Sequence, residues 1–180
     1  MELIKVSKKM DIYHSVKDLY IKSFPAEERA PFWLMMKKTS MPIVDFWALY
    51  DDDNWVGIAY VIKNENIAYL FYLAICENER GKGYGHKSLE LLKEKYKDYK
   101  FFLALEELDK NADNYEQRVK RHSFYESCGL SDMPHHIKEA SVIYDIMGIG
   151  EPVTAEEYLS LMKKYLGRFL VKILDIRIVE

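Results

Sequence analysis

The feature that most constrains the fold is an apolar segment that runs into a glycine-rich turn and then into an amphipathic helix. Residues 67–76 are apolar or aromatic throughout, which is typical of a central strand covered on both faces. The turn Arg80–Gly85 has glycine at every second position, and Leu89, Leu92 and Tyr96 then recur at helical spacing. Glycines let backbone N–H groups approach a ligand, and a helix start carries partial positive charge. The segment therefore predicts a cradle for a phosphate or pyrophosphate.

Two nucleotide-binding motifs nearly match this turn, and both fail at His86. A P-loop requires G-x-x-x-x-G-K-[ST], whereas residues 81–88 read GKGYGHKS. The dinucleotide fingerprint G-x-G-x-x-G requires its third glycine at the same position. The strands before the turn also indicate a meander, which neither nucleotide fold predicts. A nucleotide-binding enzyme is therefore the less favoured alternative.

The pattern of the whole chain predicts a single domain over residues 1–180 with a mixed α/β (α+β) fold. Apolar spacing and capping residues predict five helices, over 11–24 with Asp11 as the cap, 32–38, 84–97, 113–128 and 154–166. Runs of β-branched and aromatic residues predict strands over 3–6, 44–50, 55–63, 67–76, 101–105, 133–138, 141–147 and 169–179. We expect a central, mostly antiparallel sheet flanked by helices, with residues 151–180 as a C-terminal helix and strand extension.

Composition argues against several classes of function. The chain carries 26 basic and 29 acidic side chains, so it lacks the basic excess typical of a nucleic-acid binder. Cys76 and Cys128 are too few for a disulfide framework, and without a CxxC or HxxxH pair no metal site is expected. The longest apolar run is far shorter than the roughly 20 residues of a membrane helix, and the N-terminus lacks a signal core. We expect a cytoplasmic protein that does not bind a membrane.

Two segments resemble the GNAT family of N-acetyltransferases. Arg80–Gly85 matches the family's [QR]-x-x-G-x-[GA] motif for acyl-coenzyme A, and Phe124–Leu130 resembles its F-Y-x-x-x-G-F segment. The likeness covers roughly residues 1–150, with all 180 as its widest extent, and implies the GNAT fold, with a bulged fourth strand and acetyl-CoA as cosubstrate. The cofactor-binding residues that it implies are Leu73, Ile75, Arg80, Gly81, Lys82, Gly83, Tyr84, Gly85 and His86.

The resemblance also implies a reaction, the transfer of an acetyl group to a primary amine of a small molecule or a protein. A thiolate must leave and an amine must lose a proton, so a general acid and a general base are both useful near pH 7. Tyr125 is the expected acid. Glu106 and Glu107 at a strand end and Glu77 after the cofactor strand are candidates for the base, of which Glu106 is chosen, and a solvated carboxylate is the equal alternative for each. Arg118 and Arg121 stand where the family has Asn and Ala, so Arg118 is expected to contact a phosphate instead. These arginines leave a non-catalytic acyl-CoA-binding domain as the alternative.

The expected acceptor pocket involves the two N-terminal helices, because the family uses that region for its substrate. Glu27, Glu28 and Arg29 are candidates to bind a charged acceptor, and a solvated charged turn is the equal alternative. Trp33 either walls this pocket or lies in the core. The segment 154–179 is expected to stabilise the fold or a homodimer, because an apolar terminal strand joins a sheet or pairs with another chain.

Overall fold

A computed structural model describes residues 1–26, 29–139 and 142–179 of the chain, which form a mixed α/β fold with a mostly antiparallel sheet, as predicted. The helices are α1 (Tyr13–Ser23), α2 (Phe32–Lys38), α3 (Tyr84–Lys95), α4 (Tyr115–Ser127), α5 (Ala155–Leu166) and α6 (Arg168–Ile173). The strands are β1 (Glu2–Lys5), β2 (Val44–Asp51), β3 (Asn54–Asn64), β4 (Ile67–Ile75), β5 (Lys100–Glu106), β6 (Ser131–Glu139), β7 (Val142–Ile149) and β8 (Arg177–Val179).

The chain divides into two compact units, and strand β4 contributes to both of them. The first unit comprises residues 1–62 and 70–95, and the second comprises residues 63–69 and 96–180. In the first unit the strand order is β1-β2-β3-β4, and in the second it is β4-β5-β7-β6-β8. The single domain over the whole chain remains a prediction.

The first unit packs α1 and α2 on one face of its strands through aromatic side chains. Strand β2 pairs antiparallel with β3, with Phe46 opposite Tyr60. The ring of Phe32 in α2 meets Phe46, with their centroids 6.3 Å apart, and the ring of Tyr20 in α1 meets Tyr72 edge-on at 5.0 Å. Because Tyr20 and Tyr60 are fully buried, these rings form the centre of the core of this unit.

Strand β4 departs from regular alternation at Phe71 and Tyr72. The rings of both residues approach the ring of Tyr60, with centroids 6.5 and 6.2 Å away, and they meet each other edge-on at 4.9 Å. Consecutive side chains of a regular strand point to opposite faces, so two neighbours against one ring mark an irregularity in the strand. This position fits the bulged fourth strand that the family resemblance implies.

The second unit begins with a short parallel ladder, in which Ile67–Tyr69 of β4 pair with Lys100–Phe102 of β5. Strands β5, β7, β6 and β8 then follow as antiparallel neighbours. Helix α5 buries Tyr158 completely against this sheet, with its ring 6.2 Å from Tyr69 and 6.4 Å from Phe102. The core of this unit therefore lies between α5 and the first three residues of β4 and β5.

Two local predictions were wrong. Asp11 does not cap α1, since the N-cap residue is Ile12 and no side chain makes a capping bond there. The predicted strand over 169–179 is instead helix α6 followed by the short strand β8. A short apolar run has no periodicity that separates strand from helix, and here the left-handed Asp175, at φ 45°, separates the two elements.

Candidate functional site

The glycine turn of the first unit has the backbone conformation that an anion cradle requires. Gly81 and Gly83 have φ angles of 76° and 83°, in the left-handed region that favours glycine. A Cβ placed on either residue would meet nothing within 4 Å, so the side of the turn where the glycine hydrogens lie is open. Helix α3 begins at Tyr84, and Gly83 before it has no side chain with which to cap the first N–H groups. The turn therefore leaves open space beside the backbone just before α3.

Three cationic side chains surround this turn, and each has a nearby partner. The Arg80 Nε donates to the backbone oxygen of Ile75 over 3.2 Å, and the Lys82 ammonium lies 3.1 Å from a Glu79 carboxylate oxygen. The Lys87 ammonium lies 3.5 Å from Asp51 and 5.1 Å from the centre of the Tyr84 ring. Because all three side chains are exposed, these contacts position positive charge beside the turn while leaving it accessible.

The end of β4 leads directly into this turn. Tyr72 and Ala74 are buried, whereas Leu73 and Ile75 are half-buried, so the two residues implied as pantetheine contacts share the more accessible face. Cys76 is half-buried, and burial raises the pKa of its thiol to about 11. A thiol with that pKa stays protonated at neutral pH, which argues against a covalent acyl-cysteine at this position.

In the second unit, Tyr125 lies near the C-terminal end of helix α4. Its side chain is half-buried, and its ring meets Phe124 at a centroid distance of 5.1 Å. Burial raises the pKa of the phenol to about 12, although the nearby Arg121 guanidinium works in the opposite direction. The phenol is therefore protonated over the whole physiological range, which is the form that a proton donor needs.

Glu106, at the end of β5, lies in a closed network with the first two turns of α4. Its carboxylate accepts a hydrogen bond from Asn114 over 3.1 Å and forms ion pairs with Arg118, at 3.1 Å, and with Arg121. Burial acts to raise the pKa of Glu106, but the bonds from Asn114 and Arg121 outweigh it and hold the pKa below its ordinary value. Glu106 is thus held as a carboxylate with low proton affinity, which disfavours its expected use as a base.

All three guanidinium nitrogens of Arg118 make contacts within the same network. Its Nε donates to the side-chain oxygen of Asn114 over 2.7 Å, and one terminal nitrogen donates to the backbone oxygen of Glu107 over 2.6 Å. The other terminal nitrogen reaches Glu106. Contact between Arg118 and a phosphate would require part of this network to open, so that expectation remains a prediction.

A further cluster in the second unit was not predicted from the sequence. His122, Glu126 and Asp132 place their ligand atoms within 4.8 Å of one another. However, Asp132 lies 2.8 Å from Nε2 of the imidazole, and Glu126 lies 3.7 Å from Nδ1. Because the two carboxylates approach different ring nitrogens, the arrangement is that of a histidine between two carboxylates and not of a site in which three ligands converge on one ion.

The first unit also contains a cavity of about 480 Å³ beside α1. Tyr13, Lys17 and Tyr20 of α1 line one side, and Arg29, Phe32 and Trp33 line the other. Trp33 is 67% exposed, so it walls this cavity and does not belong to the core. Glu27 and Glu28, also expected near the acceptor, lie outside the described residues. Among the helices of the described parts of the chain, none has the length and apolar character needed to cross a membrane.

Comparison with known proteins gives a consistent result. The model of the acetyltransferase (GNAT) family matches residues 11–130, and no match was found among curated proteins. A solved structure from Bacteroides thetaiotaomicron, assigned to the GNAT family, is 19% identical and superposes with a TM-score of 0.72 over 96% of this chain and 97% of that one.

Two further solved structures share the fold. An aminoglycoside 6'-N-acetyltransferase in complex with coenzyme A is 16% identical, with a TM-score of 0.62 over 85% of this chain and 100% of that one. A chimera based on the spermidine N-acetyltransferase of Vibrio cholerae is 17% identical, with a TM-score of 0.60 over 93% of this chain and 98% of that one. At these identities the likeness establishes the fold.

Proposed function

Because the chain belongs to the GNAT acetyltransferase family and is therefore an acyltransferase, we propose that it transfers the acetyl group of acetyl-CoA to a primary amine. The observation that carries this proposal is the open turn before α3, with two left-handed glycines and three exposed cations beside it. The two solved relatives named for their substrates act on aminoglycosides and on spermidine, which are amines. Their chemistry supports an amine acceptor here.

The described residues fit the chemistry of acetyl-CoA as cosubstrate. The pyrophosphate is an anion that backbone N–H groups at a helix start bind well, and the turn Arg80–His86 supplies such groups. Arg80 and Lys82 add positive charge at its edge. The half-buried Leu73 and Ile75 are the proposed backbone partners of the pantetheine arm, on the strength of the family resemblance.

The proposed transfer is direct. The amine nitrogen attacks the thioester carbonyl carbon, the carbon–sulfur bond breaks, and one proton of the amine finally resides on the released thiol. We assign to Tyr125 the donation of a proton to sulfur as this bond breaks. A phenol with a pKa of about 12 is a weaker acid than a thiol with a pKa of about 8.5, so the tyrosinate that forms is strongly basic. It must take up the proton that the attacking nitrogen releases, which restores the phenol.

For Glu106 we propose a positioning role in place of the base expected from the sequence. Its carboxylate holds Arg118 and Arg121 at the start of the helix that carries Tyr125. A base must take up a proton, and a carboxylate whose pKa two arginines lower does so poorly. Removal of the Glu106 carboxylate should therefore lower the stability of the protein more than it changes the pH dependence of turnover.

The proposal is tested by measuring ligand binding and thiol release with the purified full chain. Calorimetric titration should show binding of acetyl-CoA and no comparable binding of ATP or NAD. Addition of a panel of primary amines should release free thiol in proportion to the acetylated amine detected by mass spectrometry. Binding of ATP or NAD alone would indicate a nucleotide-binding enzyme. Binding of acetyl-CoA without thiol release for any amine would indicate a non-catalytic acyl-CoA-binding domain.

A further inference from the structure

The cavity beside α1 has walls that differ in chemistry. Tyr13, Lys17 and Tyr20 are spaced by four and three residues, so they lie on one face of the helix. The ring of Phe32, 5.8 Å from Tyr13 and 5.9 Å from Tyr20, closes the apolar part of the cavity. The exposed Trp33 extends this aromatic wall to the surface. The cavity therefore offers flat apolar surface to a planar or aliphatic group.

The segment that carries Arg29 is held in place by two tyrosines. The Tyr20 hydroxyl donates to the backbone oxygen of Ala30 over 2.9 Å, and the Ala30 N–H donates to the Tyr72 hydroxyl over 3.2 Å. One terminal nitrogen of Arg29 also donates to the backbone oxygen of Ile21 over 2.8 Å. Arg29 is thus fixed at the cavity wall, and through Tyr72 this wall is joined to β4, the strand that leads to the glycine turn.

The lining residues within the described ranges of the chain carry a positive charge. Lys17 and Arg29 line it, and within the described ranges 1–26, 29–139 and 142–179 neither forms an ion pair with a carboxylate. The described lining residues include no aspartate or glutamate. An ordered guanidinium with remaining N–H donors binds a carboxylate well, whereas a polycation would meet like charge here.

We infer that the acceptor is a small primary amine that also carries an anionic group on an apolar or aromatic body, in the manner of an amino acid. This inference rests on the proposed acetyl transfer and narrows its substrate. Arg29 and Lys17 contact the anionic group, and Phe32, Trp33 and the α1 tyrosines contact the body. A cavity of about 480 Å³ falls within the size range of small-molecule sites.

The test compares amines that differ only by a carboxylate. The pairs are tyrosine with tyramine and tryptophan with tryptamine, and spermidine and kanamycin serve as polycations. We expect kcat/KM for the carboxylated member of each pair to exceed that of its partner by about 10- to 100-fold, the range of a charge-assisted contact. Equal rates within each pair, or faster turnover of the polycations, would overturn the inference while leaving acetyl transfer intact.

Substitutions of Arg29 and Lys17 test whether these residues cause the preference for a carboxylated amine. Arg29→Gln should remove most of the preference for the carboxylated amine, measured as the ratio of kcat/KM within each pair, whereas Arg29→Lys should restore part of it. Lys17→Gln should have a smaller effect, and Lys22→Gln, an exposed lysine of the same helix outside the lining, should have none. Calorimetry with acetyl-CoA must give wild-type affinity for every variant.

The double variant Glu27→Gln, Glu28→Gln tests the alternative that the acceptor is cationic. If the acceptor is cationic, this variant loses turnover of spermidine while Arg29→Gln retains it. If the acceptor is anionic, the double variant keeps the preference for the carboxylated amine. Absence of thiol release with every amine of the panel would contradict the proposed function itself, so the two failures are distinguishable.

Discussion

Helices α3 and α5 differ in the residue that stands where a capping side chain would lie. At the start of α5, the Thr154 hydroxyl accepts from the Glu157 N–H, and the Glu157 carboxylate accepts from the Thr154 N–H, which together form a capping box. At the start of α3, the residue before the helix is Gly83, which has no side chain, and the turn before it is open. One helix supplies its own anion, and the other has a glycine where that cap would stand, so we propose that a bound ligand supplies the anion there.

This difference separates a helix start that is capped within the chain from one that we propose binds a ligand. A partial positive charge at a helix N-terminus is present in both helices, so that charge alone does not identify a site. What distinguishes α3 from α5 is a glycine in place of a capping side chain, together with glycines in a conformation that other residues adopt at a cost.

The largest effect is expected from filling the open turn. Gly83→Asp places a side chain and a negative charge where we propose that the pyrophosphate binds, and it should weaken acetyl-CoA binding on the order of 1,000-fold. The matched control is Gly150→Asp, because Gly150 is also exposed, has a φ of 85° and has nothing within 4 Å of an added Cβ. Calorimetric titration of both folded variants gives the comparison.

Both aspartate variants should lose similar stability, about 1 kcal/mol, since both place a non-glycine residue in the left-handed region. A control variant that binds acetyl-CoA as weakly as Gly83→Asp would mean that strain, not occupation of the turn, causes the loss. Wild-type affinity in Gly83→Asp would remove the central premise of the proposed function.

The second prediction concerns Tyr125 as the proton donor. Tyr125→Phe retains the ring and should leave acetyl-CoA affinity unchanged, while kcat falls by roughly 10- to 1,000-fold. Because burial raises the pKa of this phenol to about 12, its ionisation should not depress wild-type activity below about pH 11. Tyr115→Phe, at the other end of α4, is the control. Lost affinity with unchanged kcat would make Tyr125 a packing residue.

The third prediction tests the closed network at the start of α4. Glu106→Gln removes the charge that Arg118 and Arg121 share, and it should lower the free energy of unfolding by about 2 kcal/mol. Glu107→Gln, the exposed neighbour, should have no effect. Denaturant titration measures the stability, and the pH–rate profile should keep its acidic limb in the variant. Loss of that limb with unchanged stability would restore Glu106 as the general base.

The sequence predicted the parts of the molecule that short-range patterns determine. Helix α2, the capping box at Thr154 and the glycine turn before α3 all depend on residues within a few positions of one another, and all are confirmed. The mixed fold and the family followed from the order of such elements and from the motif at Arg80.

The missed features depend on contacts between distant residues. The carboxylate of Glu106 meets two arginines 12 and 15 positions away, and no local pattern chooses such partners over solvent. The irregularity of β4 at Phe71 became visible only through the ring of Tyr60. Helix α6 buries a single side chain, Val171, so its apolar run had no helical stripe that would distinguish it from a strand.

The smallest expected effect concerns the closed start of α5. Beyond its capping bond, Glu157 accepts a hydrogen bond from Asn66 and pairs with the Lys100 ammonium at 3.0 Å. Burial acts to raise the pKa of Glu157, but the bonds from the Thr154 N–H, Asn66 and Lys100 outweigh it and lower the pKa to about 2. The charged form is thus favoured in the folded protein.

A carboxyl with a lowered pKa in the folded state adds stability above its unfolded pKa, here near 4.5, and that stability is lost as the pH falls towards 2. Glu157→Gln should therefore cost about 1 kcal/mol at pH 7, after allowance for solvent screening, and less as the pH falls below 4.5. Glu156→Gln, in the same first turn but exposed, should change neither quantity. Denaturant titrations at pH 7 and pH 3 compare the three proteins. A difference between wild type and Glu157→Gln that persists unchanged at pH 3 would mean that the helix start depends on the shape of the side chain and not on its charge, and the contrast between α5 and α3 would then not be electrostatic.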